Sequence, residues 1–318
     1  MTTVAGAAAL ATLGRATDFC DDTTQPTNRY VSNFYQFGRE AVDRLSAPDA
    51  LPNGERFLHI FAHSSPGFRG SPELVKRVHA AGASYKFAQP IDVHKYEGWP
   101  KAAGDQLKRW AEEFRTVALD EGADYFAFNE MPTTGAQTPA LREQVATWLR
   151  LLHESGGGRK LPGVFYFTEK NLNPKNWTGD ADAFWEALDQ TCELIVGEHY
   201  HNWGFVFDRT VEQYADHLFA LPKWLIESGK APQTRVARDK YCVLHSSYYG
   251  PNVTGWAGIQ NDKFDFGELK KYFRRMVDAT RASRFGKSRI AFGPLANKQL
   301  DLRLLDPLAE VLGDDARA

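Results

Sequence analysis

Cysteine is scarce in this chain: Cys20, Cys192 and Cys242 are the three present in 318 residues, and no two lie close together. That spacing excludes a C-x-x-C redox motif and a zinc knuckle, and an odd count cannot pair completely. Cys192 and Cys242 flank or lie in apolar runs and read as small buried hydrophobes. An excess of one charge is also missing. With 38 basic and 40 acidic residues the formal net charge is −2, so nothing suggests a nucleic-acid groove or a polybasic membrane contact. No apolar run reaches the roughly 20 residues that a membrane-spanning helix needs. Nucleotide fingerprints are absent too: no G-x-G-x-x-G follows the first apolar run and no G-x-x-x-x-G-K-[ST] occurs. Without a G-x-S-x-G elbow, the serines near histidines, Ser64-Ser65 and Ser246-Ser247, have no support as nucleophiles.

Aromatic residues are plentiful instead, at 13% of the chain with 8 Trp. Residues 3–13 form a small-apolar run followed by Gly14-Arg15-Ala16, which resembles the later part of a secretory signal that lacks its positively charged start. We expect residues 1–25 to be a signal-like or disordered segment, a clipped export signal of twin-arginine type, and the mature protein to be secreted. If the run is not a signal, the expectation becomes cytoplasmic. Residues 30–45 carry Phe34, Phe37, Val42 and Leu45 at helical spacing and predict a helical extension. Short apolar or aromatic runs then recur at 57–62, 85–88, 125–128, 164–167, 194–196, 241–244 and 290–292, separated by helical periodicity at 72–81, 101–120, 139–153, 180–191, 210–228 and 266–280. Strands alternating with helices predict a parallel sheet with helical cover. The fold class expected is α/β, a single (β/α)8 TIM-like barrel over residues 26–318. Seven strands are counted; an eighth is sought at 204–207 or near residues 30–35.

In such barrels the chemistry sits at the C-terminal ends of the strands. Those ends collect His59, His63, Asp92, His94, Asn129-Glu130, Glu169-Lys170, Glu198-His199-Tyr200-His201, Trp203 and His245, whereas the opposite ends hold few such groups. Cleavage of a glycosidic bond needs two carboxyls facing each other across the sugar, one protonated and the other ionised. Glu130 and Glu198 each close an apolar run, and Glu169 on the intervening strand is the competing partner. Trp99, Trp177, Tyr200, Trp203, Tyr248, Tyr249 and Trp256 follow strands as flat surfaces on which sugars stack. Lys86, inside a strand, is read as pairing with a carboxylate at the site, or as a Schiff-base lysine.

Asn129-Glu130-Met131-Pro132 at a strand end resembles the Asn-Glu-Pro signature of the large clan of retaining (β/α)8 glycoside hydrolases. The resemblance implies that Glu130 is the acid/base and that Asn129 holds the sugar's 2-hydroxyl. It also implies a nucleophilic Glu three strands later, where this chain carries His245-Ser246-Ser247; Glu198 lies two strands later. The partner of Glu130 is therefore Glu198 or Glu169. Under this reading His63, His94, His201 and His245 hold sugar hydroxyls, no cofactor or metal is required, the partner is a carbohydrate, and oligomeric state is open.

Two other readings stand beside it. The strand-end histidines, with Asp92 or Glu198, form the ligand types of a metal-dependent barrel hydrolase in which a divalent cation activates water, His199-x-His201 being the tight pair. A barrel that has lost its chemistry would bind carbohydrate with the same aromatics.

Overall fold

The computed structural model describes residues 30–34, 57–63, 85–91, 104–120, 122–128, 138–154, 159–245, 266–283 and 289–292, with short stretches at 75–76, 79–80, 101–102, 285, 296–297, 299–300 and 310–311. Eight parallel strands close into a barrel in chain order: β1 (Tyr30–Phe34), β2 (Phe57–His63), β3 (Tyr85–Ile91), β4 (Tyr125–Phe128), β5 (Gly163–Phe167), β6 (Cys192–His199), β7 (Tyr241–His245) and β8 (Arg289–Phe292). Each pairs with the next, and β8 returns to β1 with Tyr30 opposite Ile290.

The eighth strand sought near residues 30–35 is there, as β1 over Tyr30–Phe34; the helical reading of residues 30–45 is corrected over that stretch, and its remainder lies outside the described residues. Closure is the physical reason. Seven parallel strands would leave two edges with unpaired backbone groups, and β1 satisfies both at once by bonding β2 and β8. The other candidate for the missing strand, 204–207, is helical instead, part of α5 (Trp203–Phe207) capped by the Asn202 side chain on the Phe205 amide.

Alternation along each strand divides the side chains into two clusters. Ala88, Tyr125, Ala127, Val164, Tyr166, Leu194, Val196, Cys242 and Leu244 fill the barrel interior. The larger set, including Phe126, Phe128, Phe165, Phe167, Ile195 and Val243, faces the surrounding helices. Those helices include α1 (Gly104–Asp120), α2 (Pro139–His153), the short α3 (Glu169–Leu172) and α4 (Asp182–Thr191). Helix α2 starts cleanly because Pro139 sits at its first turn and the Thr138 hydroxyl accepts from the Leu141 amide. Rings lock this layer together. Phe128 stacks on Phe165 with centroids 5.0 Å apart, and Trp177 lies 4.7 Å from Trp185. At roughly 1.5–3 kcal/mol for each large apolar side chain buried, this layer is the main source of stability. Trp177 is thus a core residue, 7% exposed, with its indole N–H donated to the Asn171 carbonyl; it is no sugar platform. Cys192 and Cys242 are both buried, as expected.

Between β6 and β7 the chain makes its longest described excursion: α5, α6 (Val211–Leu218), α7 (Ala220–Glu227) and α8 (Ala231–Arg235). Helix α6 opens with a reciprocal cap between Thr210 and Gln213. The last long helix, α9 (Phe266–Ala282), packs against α6 and α5 before β8. Among the described residues, no helix is long and apolar enough to cross a membrane.

Candidate active site at the end of the sixth strand

Leu194 and Val196 belong to the interior cluster, so the pleat carries Glu198 to the same side. Glu198 is 2% exposed, and its carboxylate accepts a 3.0 Å hydrogen bond from the Tyr200 hydroxyl. Tyr200 itself packs on the interior cluster. A tight turn makes this possible: the His201 amide donates to the His199 carbonyl at 2.9 Å, reversing the chain about Tyr200. Glu198 and Tyr200 therefore meet at the C-terminal mouth of the barrel, one from the strand and one from the turn after it.

His199 and His201 turn the other way. His199 is 1% exposed and bonds the Tyr241 hydroxyl through Nε2 at 3.1 Å, on the face that packs against helices. Gly197 makes room for that phenol. A Cβ on Gly197 would lie 2.2 Å from the Tyr241 hydroxyl and 2.9 Å from its ring carbon Cζ. His201 stacks on Phe205 of α5 at 4.0 Å, contacts the Tyr214 hydroxyl of α6 through Nδ1 at 3.2 Å, and places Nε2 3.2 Å from Nε2 of His217. Its carbonyl accepts from Tyr272 of α9. Burial holds His199 well below the usual histidine range, with added repulsion from His201, His217 and His245. Burial likewise pushes His201 down to about 2, aided by His217, His245 and Arg209. His217 is lowered by burial too, although Glu169 opposes the shift. All three are neutral imidazoles at ordinary pH.

The remaining expected site residues divide sharply. Glu169, first residue of α3, is exposed and sets its Oε1 3.9 Å from His201 Nε2, beside the histidines. His245 ends β7 with the outward parity of Tyr241 and Val243, fully buried, its Nε2 3.1 Å from the Thr280 hydroxyl of α9. Burial and the neighbouring Arg281 push its pKa down to about 3. Trp203 stacks on Phe207 at 4.1 Å and faces Tyr272 at 6.1 Å in the helical layer. Lys86 shares the parity of Ala88 and so faces the interior, from the early part of β3. His59 and His63 belong to β2, but their side chains lie outside what is described. So do Asn129, Glu130, Asp92, His94, Trp99, Tyr248, Tyr249 and Trp256. Thus the structure brings Glu198 and Tyr200 together, and it gathers Glu169, His199 and His201 into a different place. It adds His217, which the sequence reading passed over as part of a helix. The available signal was the face of α6, where Tyr214, His217 and Leu218 fall at helical spacing.

No protein-family model matches this chain, and no curated protein matches it in sequence. Solved structures do match. A GH18 chitinase from Pseudoalteromonas aurantia superposes with a TM-score of 0.54 at 10% identity, over 89% of this chain and 99% of that one. A chitinase-like agglutinin from Robinia pseudoacacia gives 0.52 at 11% identity, over 88% and 98%. A GH113 β-1,4-mannanase gives 0.50 at 10% identity, over 92% and 100%. At such identities the likeness is one of fold: this chain is an α/β barrel of the architecture found in these glycoside hydrolases and in the agglutinin.

Proposed function

We propose that this protein is a glycoside hydrolase that cleaves a poly- or oligosaccharide with paired carboxylates. In this reading Glu130 is the acid/base and Glu198 is the nucleophile or base. The observation that carries it is the placement of Glu198, buried on the interior face of a barrel strand at the catalytic end, with the Tyr200 hydroxyl on its carboxylate. The Tyr200 hydroxyl fixes the orientation of this carboxylate at the mouth of the barrel, where a nucleophile or base must stand. Glu169 is the weaker partner, because its exposed carboxylate sits beside His201 rather than beside the interior cluster. The Asn129-Glu130-Met131-Pro132 stretch supplies the acid by its resemblance to the Asn-Glu-Pro signature.

The test is turnover of a panel of polysaccharides by Glu130→Gln and Glu198→Gln. A general acid or base contributes roughly 10² to 10⁴ in rate, so each variant should lose at least that much with its melting temperature retained. If neither loses more than about tenfold, paired-carboxylate hydrolysis is wrong. A second reading, saccharide binding without chemistry, is favoured by the shared fold of the Robinia pseudoacacia agglutinin. Wild-type protein that binds a polysaccharide and never shortens it would select that reading.

A further inference from the structure

Behind the barrel wall, away from the interior carboxylate, three imidazoles from β6, the turn after it and α6 converge. One coordinating nitrogen from each of His199, His201 and His217 lies within 4.8 Å of the other two. The Nε2 atoms of His201 and His217 are 3.2 Å apart. Two nitrogens bound at about 2.0–2.1 Å to one tetrahedral metal would sit about 3.3 Å apart, so this pair already has ligand spacing. The widest separation requires a modest ring rotation, and His217, half-buried on α6, is free of the strand's constraint.

The groups behind the rings orient them as outer partners orient metal ligands. The Tyr241 hydroxyl donates to the Leu218 carbonyl at 3.3 Å and therefore accepts from His199 Nε2. That assignment puts the His199 proton on Nε2 and leaves a lone pair on Nδ1. This Nδ1 is buried and has no hydrogen-bond partner among the described residues, an uncompensated polar atom of the kind that calls for a ligand. For His201, Tyr214 on Nδ1 leaves Nε2 toward His217. The carboxylate of Glu169, 3.9 Å from His201 Nε2, brings a negative charge and an exposed approach. It offsets Arg209, whose guanidinium lies 3.5 Å over the ring of Phe205 and so stands behind His201.

We propose that His199, His201 and His217, with Glu169 as fourth ligand, bind a divalent transition metal of the zinc type. Neutral imidazoles and one carboxylate suit zinc and its first-row neighbours rather than calcium or magnesium. The ion would tie three segments together: the start of α3, the end of β6 and helix α6. It is a structural staple for the β6–β7 excursion, independent of the carboxylates proposed for hydrolysis.

The experiment uses the full chain without a polyhistidine tag, stripped by a chelator and titrated with zinc chloride by calorimetry. One zinc per chain is expected, with the melting temperature rising by about 5 °C at a hundredfold excess over Kd. His217→Phe keeps a ring against Phe205 and removes the nitrogen; it should lose the stoichiometric site. X-ray absorption of zinc-loaded wild type, which needs no variant to fold, should show a shell dominated by imidazole nitrogen. Absence of one-to-one binding, unchanged affinity in His217→Phe, or an oxygen-only shell would each overturn the site. Hydrolysis by chelator-stripped protein separates this outcome from the fate of the glycosidase reading.

Discussion

Glu198 and His199 are joined by one peptide bond and face opposite sides of the barrel wall. Glu198 shares its side with Val196 and Tyr200, where a substrate would enter. His199 shares its side with Tyr241 and the helices of the β6–β7 excursion. The comparison shows that polar residues at barrel strand ends are two populations sorted by the pleat. One population faces the mouth and can do chemistry. The other fills the seam between strand and helix, where each polar atom must find an internal partner. His245, bonded to Thr280 of α9, belongs to the second population as well.

Acid should separate the two sides most strongly. His199, His201 and His245 are held neutral in the fold, His201 down to about 2 and His245 down to about 3. The unfolded chain protonates the same residues near pH 6.5, so below that pH it binds more protons and stability falls as pH falls. Each histidine contributes a slope of at most about 1.4 kcal/mol per pH unit. Three together approach the roughly 5–15 kcal/mol of a typical domain's stability by about pH 4.5. Urea unfolding at pH 7, 6 and 5 should show the midpoint falling steadily. A flat profile would mean the seam is wetter than its burial implies.

Substituting across the peptide bond is the next most decisive comparison. Glu198→Gln should lower kcat/KM by roughly 10² to 10⁴ and leave unfolding nearly unchanged. His199→Gln should do the reverse, costing about 2–4 kcal/mol of stability through lost packing and a lost buried hydrogen bond. Should His199→Gln remove turnover at wild-type stability, the histidine would belong with the chemistry and the division would fail.

Gly197→Ala probes the outer side by sterics alone. The new methyl would meet the Tyr241 phenol at 2.2 Å, so the ring must move and release His199 Nε2. Overpacking of this kind costs about 1–3 kcal/mol. Thermal unfolding would register it, and residual activity at low temperature should stay near wild type.

The barrel was legible because strand and helix periods differ, 2 against 3.6, and the runs at 125–128, 164–167 and 194–196 became β4, β5 and β6 within two or three residues at each end. β1 was half-legible: residues 30–35 were one of two places where an eighth strand was sought, but their spacing also reads as a helix, and the pairing with residues far along the chain that decides the matter leaves no local trace. Within the site, Glu198 was legible as the end of an apolar strand. The sorting of its neighbours was harder to see. His199 follows from parity once Leu194 and Val196 are known to face inward, but the turn at Tyr200 resets the alternation for His201. His217 arrives from a helix 16 residues further on; its place on the face of α6 that carries Tyr214 and Leu218 could be read from spacing, but which strand end that face meets could not. Trp177 looked like a surface platform because it follows a strand, whereas Trp203 is half-buried. The Trp177 ring is instead taken up by Trp185, and the Trp203 ring lies over Phe207 with Tyr272 nearby.

The smallest expected effect sharpens the inner side. Tyr200→Phe keeps the ring on the interior cluster and deletes only the hydroxyl that reaches Glu198 at 3.0 Å. A hydrogen bond to a charged group contributes about 1.5–3 kcal/mol, and one to a neutral group about 0.5–1.5 kcal/mol. If Glu198 acts ionised and the bond matters in the transition state, kcat/KM should fall by roughly 10- to 150-fold, with the stability change within about 1 kcal/mol. The split between kcat and KM then locates the role. A fall in kcat alone means that the hydroxyl supports Glu198 during bond cleavage, whereas a rise in KM alone means that it only shapes the ground-state site. Loss of stability beyond about 2 kcal/mol without loss of turnover would assign the Glu198–Tyr200 pair to the fold. It would also return Glu169 to consideration as the partner of Glu130.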